Sequence, residues 1–111
     1  MSDPNQALKE AKAILADWST IVNAYTTFTY MSHAMGPAIQ ALQRVSAVPR
    51  DKLAQHGIPE FTEAIESVAV CVGTLRAGMA VEIVVKIAKA VQGVWAERVK
   101  ELKKEVGEDS D

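Results

Sequence analysis

Near the start of the chain, apolar residues recur at alternating three- and four-residue steps: Ala11, Ile14, Trp18, Ile21, Tyr25 and Phe28, with Met35 further along. Leu8, Leu15 and Val22 widen the same stripe. That spacing gathers on one side of a helix and predicts an amphipathic helix with a seam close to heptad spacing. Its start is well marked. Asp3 can cap free backbone N–H groups, Pro4 suits the first helical position, and Gln6 stands where a capping box takes Glu or Gln. The run from Tyr25 to Met31 is rich in strand formers, but the seam continues through it and favours helix.

Gly36-Pro37 ends this first pattern, and Pro37 is placed to begin the next. Ala38 to Val48 reads as a short helix with Ile39, Leu42 and Val45 inward, stopped by Pro49. Asp51 to His56 reads as one further helical turn closed by Gly57. Pro59 is expected to open a fourth helix with Phe61, Ile65, Val68, Val72 and Leu75 on one stripe. Beyond Gly78 the apolar set shifts register to Val81, Val84, Ala88, Val91, Trp95, Val99, Leu102 and Val106. A seam change beside Gly73 and Gly78 predicts a tight turn near Thr74–Gly78 and a reversal of direction, with a kinked continuous helix as the alternative.

The expected fold class is therefore all-α. It is an elongated helical bundle of two long helices, one medium helix and one or two short connecting helices. The chain has 111 residues, which suits a single domain over residues 1–106, with 107–111 as an acidic, frayed tail. A compact domain of this length has a radius of gyration near ~13 Å. A helix running from Pro4 to Met35 would be about 48 Å long. Either that helix breaks or the bundle is elongated.

Composition narrows the chemistry. Apolar residues make up 49% and charged residues 23%, an ordinary globular balance. Lys and Arg number 12 against 14 Asp and Glu, which argues against a protein that coats polyanions wholesale. The single cysteine, Cys71, lies in the apolar run Val68–Val72 and is expected as a small buried hydrophobe. A lone buried thiol and the absence of a signal-peptide pattern at Met1-Ser2-Asp3-Pro4 place the expected compartment in the cytoplasm. The apolar tract from Ile65 to Trp95 is interrupted by Glu66, Arg76, Glu82, Lys86 and Lys89, so no membrane span is expected.

Catalytic patterns are missing. His33 and His56 have no carboxylate or second histidine at helical ligand spacing, and a surface or capping role is expected of them. No metal and no cofactor are expected. Gly73-Thr-Leu-Arg-Ala-Gly78 lacks the preceding strand of a phosphate loop. Glu60, Glu63 and Glu66 fall at three-residue steps near a helix start, where they complement the helix dipole.

Two surfaces carry the functional expectations. At ~100° per residue, Lys86, Lys89, Lys100 and Lys104 fall within a narrow arc of the last helix, with Gly93 between them and Lys103 at the edge. Such a stripe suits contact with a nucleic-acid backbone. It equally suits a solvated face in which Glu82, Glu97, Glu101 and Glu105 pair with the lysines. The second surface joins Trp18, Tyr25, Thr26, Phe28 and Tyr30, either as a partner-facing patch or as the sides of a helix central in its own bundle.

The leading expectation is a non-enzymatic helical subunit of a larger assembly, packing against itself or other protein subunits. The alternative is a small subunit of a ribonucleoprotein that binds nucleic-acid backbone. Small all-helical subunits of CRISPR effector complexes are similar in size and general look, with no motif matching residue by residue. A helical viral coat or filament protein is the third reading.

Overall fold

The computed structural model describes residues 3–26, 36–74 and 81–107, with the side chains of 25–26, 70–74 and 81–84 set aside. Among the described residues there are five helices and no strand: α1 (Pro4–Thr26), α2 (Gly36–Ser46), α3 (Arg50–His56), α4 (Thr62–Thr74) and α5 (Val81–Val106). The fold is all-α, as the periodicity predicts. Principal extents of 45 × 29 × 21 Å and a radius of gyration of 14.6 Å describe a bundle longer than it is wide.

α1 starts as its sequence dictates. The Asp3 carboxylate accepts from the Asn5 N–H at 3.1 Å, and the Asp3 carbonyl accepts from the Ala7 N–H at 2.9 Å. Gln6 does not close a capping box; it donates along the helix to Glu10 at 3.5 Å. The expected continuation of α1 to Met35 falls on residues 27–35, outside the described residues.

α1 and α5 run antiparallel along the molecule. Gln92 donates to Ser19 at 2.9 Å, while Glu10 and Arg98 meet on either side of His56. Their facing seams form the core: Leu8, Ala11, Trp18, Ile21 and Val22 from α1, and Ala88, Val91, Trp95, Val99 and Leu102 from α5. α2 packs on α1, and α4 packs on both α5 and α2. Arg44 clamps α2 to α1 by donating twice to Asp17, from Nε at 3.0 Å and a terminal nitrogen at 2.8 Å.

Two inward positions differ from the sequence expectation. On α2, Leu42 and Val45 are buried but Ile39 is 39% exposed, and Ala38 and Ala41 face the core instead. The buried set Ala38, Ala41, Leu42, Val45 is one narrow helical stripe, from which Ile39 lies about 100° away. Before α4, Pro59 does not begin the helix. Phe61 sits outside it in the left-handed region at φ 53°, and its carbonyl takes the first helical bond, from the Ile65 N–H at 3.0 Å. Phe61 is thus an N-cap that offers no side-chain acceptor. Glu60, outside the helix, pairs with Arg50 at 3.2 Å, leaving Glu63 as the acid in the first turn of α4.

α4 lies against α5, and Ser67 and Ile87 line one depression between them. Most of the expected Thr74–Gly78 turn lies outside the described residues, as do the Cys71 side chain, His33 and the tail 108–111.

α3 ends in a Schellman motif. Gly57 adopts φ 69°, its N–H donates to the Ala54 carbonyl at 3.0 Å, and the Ile58 N–H donates to the Leu53 carbonyl at 3.0 Å. Ile58 is buried beside this cap and holds the chain against the core. Gly57→Ala should cost about 1 kcal/mol, because a Cβ disfavours the left-handed region even though no atom crowds the site. Urea denaturation of the variant checks it, and an unchanged midpoint would count against the motif.

Candidate functional site

The outer face of α5 is a surface that sequence and structure both single out. Its buried seam leaves the opposite side of the helix to solvent. Lys86, Lys89, Lys100 and Lys104 are exposed there, and Lys103 is half-buried at the edge. Between the two lysine groups lie Ala90, Gly93, Val94 and Ala96, all exposed, and nothing stands within 4 Å of where a Gly93 side chain would begin. From Lys86 to Lys104 the face runs about 27 Å.

Among the described residues the expected pairing with Glu97, Glu101 and Glu105 is not formed: Glu101 pairs with Arg98 at 3.5 Å instead. The side chain of Glu82, the acid expected beside Lys86, lies outside the described set.

The aromatic cluster divides. Trp18 is 2% exposed and belongs to the core, in contact with the chain's own helices. Tyr25 and Thr26 lie on α1 with side chains outside the described set, and Phe28 and Tyr30 lie outside the described residues altogether. Of the five, Trp18 is the side chain the structure places, and it lies in the core.

One group that sequence reasoning underrated is His56. It is not on the surface: it is 6% exposed, at the C-terminal end of α3, with its ring edge-on to Trp95 at 5.2 Å. Arg98 Nε donates to its Nδ1 at 3.0 Å, so the ring proton sits on Nε2, which faces Glu10 Oε1 at 3.4 Å. The other Glu10 oxygen accepts from Lys52 Nζ at 2.9 Å. Four charged or titratable side chains from α1, α3 and α5 thus form one chain across the core. Burial holds the His56 pKa below its ordinary value, reinforced by the Arg98 charge and opposed by Glu10. The Lys52 hydrogen bond holds the Glu10 carboxyl below its ordinary value, and that bond raises Lys52 in turn.

Both ring nitrogens of His56 are occupied, so the arrangement orients helices rather than presenting a base to solvent. No signal in the sequence could have found it, because Glu10 and His56 are 46 residues apart and meet only through tertiary packing. Among the described residues no group of three or more His, Cys, Asp or Glu is placed to hold a metal ion, and no helix is long and apolar enough to cross a membrane. No protein-family model matches the sequence, no curated protein matches it, and no solved structure matches the fold.

Proposed function

We propose that this chain is a non-catalytic helical subunit of a larger assembly, joined to copies of itself or to other protein subunits by helix packing. The observation that carries the reading is the unshared side of α5. A 26-residue helix runs nearly the length of a 45 Å molecule and uses one side for the core. Ala90, Gly93 and Ala96 lie along the middle of its other side, small enough for a partner helix to approach closely beside the exposed Glu97. Val94 beside them is 38% exposed, and with Ile39 it completes the set of large apolar side chains left mostly open among the described residues. The lysines at both ends suit a partner helix with acidic residues at matching spacing.

Light scattering behind a size-exclusion column tests this on the untagged chain. A particle larger than the 12.0 kDa monomer, reduced to monomer by Gly93→Glu and Val94→Glu, is the expected result. A monomer at all concentrations that captures no helical partner would overturn it. An open-ended polymer would move the reading toward a filament protein.

The lysines favour a second reading, because exposed ammonium groups outside any ion pair among the described residues are available to phosphates: a subunit of a ribonucleoprotein that contacts nucleic-acid backbone. Replacing Lys86, Lys89, Lys100 and Lys104 together by Gln should leave folding stability within about 0.5 kcal/mol, since all four are exposed. In this reading the same variant weakens binding to mixed-sequence single-stranded RNA regardless of base order. It also flattens the log affinity against log salt slope by roughly 3. Wild-type protein that does not retard RNA at low salt would remove this reading and leave the first intact.

A further inference from the structure

On one flank α1 and α5 meet through the hydrogen bond from Gln92 to Ser19 at 2.9 Å, and both residues are half-buried there, at the edge of the core. Helical geometry sorts the charges of both helices about that edge. On α1, Lys12 lies about 20° from Ser19 and Lys9 about 80°, whereas Glu10 and Asp17 lie about 160–180° away. On α5, Lys103, Lys89 and Lys100 lie about 20°, 60° and 80° from Gln92, whereas Glu97, Glu101 and Glu105 lie about 140–180° away. The ion pairs agree with this sorting. Glu10 faces Lys52 and His56 of α3, Asp17 accepts from Arg44 of α2, and Glu101 pairs with Arg98, which itself reaches His56. Those carboxylates turn to the α2 and α3 side, and the lysines stand on the other.

The antiparallel register then gathers the lysines. With Ser19 level with Gln92, Lys9 and Lys12 come within about 6 Å of Lys100 and Lys103 along the helix axes. Lys89 stands about 15–20 Å further along the same face. Lys9, Lys12, Lys89 and Lys100 are exposed and Lys103 is half-buried. Among the described side chains of α1 and α5, no carboxylate shares this face. The whole chain has a formal charge of −2, so the excess of positive charge is local. Ammonium groups gathered this closely repel one another, and an anion laid across them relieves the repulsion.

The rest of the face selects the kind of anion. Asn5, Ser19, Gln92 and the small Ala16 and Ala96 lie among the lysines. The large apolar side chains left mostly open among the described residues are elsewhere, Ile39 on α2 and Val94 about 160° from Gln92. Protein interfaces seat apolar or aromatic anchors at their centre and are depleted in lysine there. Ammonium, hydroxyl and amide groups are instead the usual partners of phosphodiester oxygens.

We propose that this α1–α5 face is a nucleic-acid-binding surface, with Lys9, Lys12, Lys100 and Lys103 as one phosphate-contacting cluster and Lys89 as a further contact along the same strand. The inference rests on the nucleic-acid reading of the α5 lysines and extends their surface onto α1. Contacts of this kind go to the backbone and are blind to base order.

Fluorescence anisotropy of labelled mixed-sequence single-stranded RNA tests the face on the full chain. Lys9→Gln with Lys12→Gln should weaken binding about tenfold or more at ~50 mM salt, and flatten the log affinity against log salt slope by roughly 1.4, the yield of two phosphate contacts. Lys9→Arg with Lys12→Arg keeps both charges and should bind within about twofold of wild type. Arg50→Gln removes one charge from the α3 side, where that side chain is 85% exposed, and should weaken binding less than Lys12→Gln alone. Thermal melting by circular dichroism checks the fold of each variant; if the double variant melts early, Lys9→Gln alone should flatten the slope by roughly 0.7. RNA binding that is unchanged in the folded Lys9 and Lys12 variant, but lost when Lys86, Lys89, Lys100 and Lys104 are replaced, overturns the two-helix face and leaves the nucleic-acid reading standing. Equal losses from Arg50→Gln and Lys12→Gln also overturn the face, because net charge alone would then account for binding. Wild-type protein that binds no RNA at about 50 mM salt removes the reading and the face together, and leaves the lysines to an acidic protein partner.

Discussion

Trp95→Ala is expected to lower the free energy of unfolding by about 3–5 kcal/mol, the range for truncating a buried large aromatic side chain. Trp95 is 2% exposed, lies in the middle of the α5 seam, and stands edge-on to His56 at 5.2 Å. The packed helices around it relax only partly into the space it would leave. A domain of this size has a total stability of roughly 5–15 kcal/mol, so the variant should retain a fold only marginally. The adjacent residue supplies the control. Val94 is on the solvent side of α5, and Val94→Ala should change stability by less than about 0.5 kcal/mol. Chemical denaturation of the two variants side by side is the measurement. Equal effects at 94 and 95 would mean that the register of α5 against α1 is wrong.

That contrast also shows what the sequence made legible. The seams of α1 and α5 can be read in advance because long helices repeat the same spacing several times, and Ala11, Trp18, Ile21, Ala88, Val91, Trp95 and Leu102 all end up buried. Caps are legible for the same local reason: Asp3-Pro4 opens α1, and Gly57 closes α3. On the short α2 the method loses its grip. With 11 residues, a stripe built on Ile39 and one built on Ala38 and Ala41 fit the period equally well, and packing against α1 selects the second.

The rest is illegible in principle. The left-handed Phe61 breaks the local rule that such positions take glycine, so no propensity argument finds it. The Glu10–His56–Arg98 chain joins residues that no sequence spacing connects. For the α5 lysines, the sequence places them on one arc but leaves two outcomes open, paired with acids or bare. Among the described residues Lys89, Lys100, Lys103 and Lys104 form no ion pair, although Glu97, Glu101 and Glu105 share their helix.

Acid should unfold this protein in two stages, and the first belongs to His56. In the folded chain burial lowers its pKa, while in the unfolded chain it titrates near the ordinary value of about 6.5. Between those two values the unfolded state binds the proton and the folded state does not. Stability is therefore full above about pH 6.5 and falls as the pH drops toward the folded pKa, by at most about 1.4 kcal/mol per pH unit for one proton. The structural cost is specific: a proton on Nδ1 would set an N–H against the donating Arg98 Nε, now at 3.0 Å. The second stage comes at lower pH, where Glu10, held below its ordinary value chiefly by Lys52, is finally protonated and releases α3 from α1. His56→Gln separates the stages. Glutamine is non-titrating and carries one donor and one acceptor, so it can still bridge Glu10 and Arg98. The variant should lose the first stage and keep the second. His56→Ala leaves both partners without the bridge and should cost about 2 kcal/mol even at pH 7.5. Urea titrations from pH 7.5 to about 2.5 decide it, because the second stage lies below the ordinary carboxylate range. A first stage that survives in His56→Gln would assign the acid sensitivity to another group and return His56 to a purely steric role against Trp95.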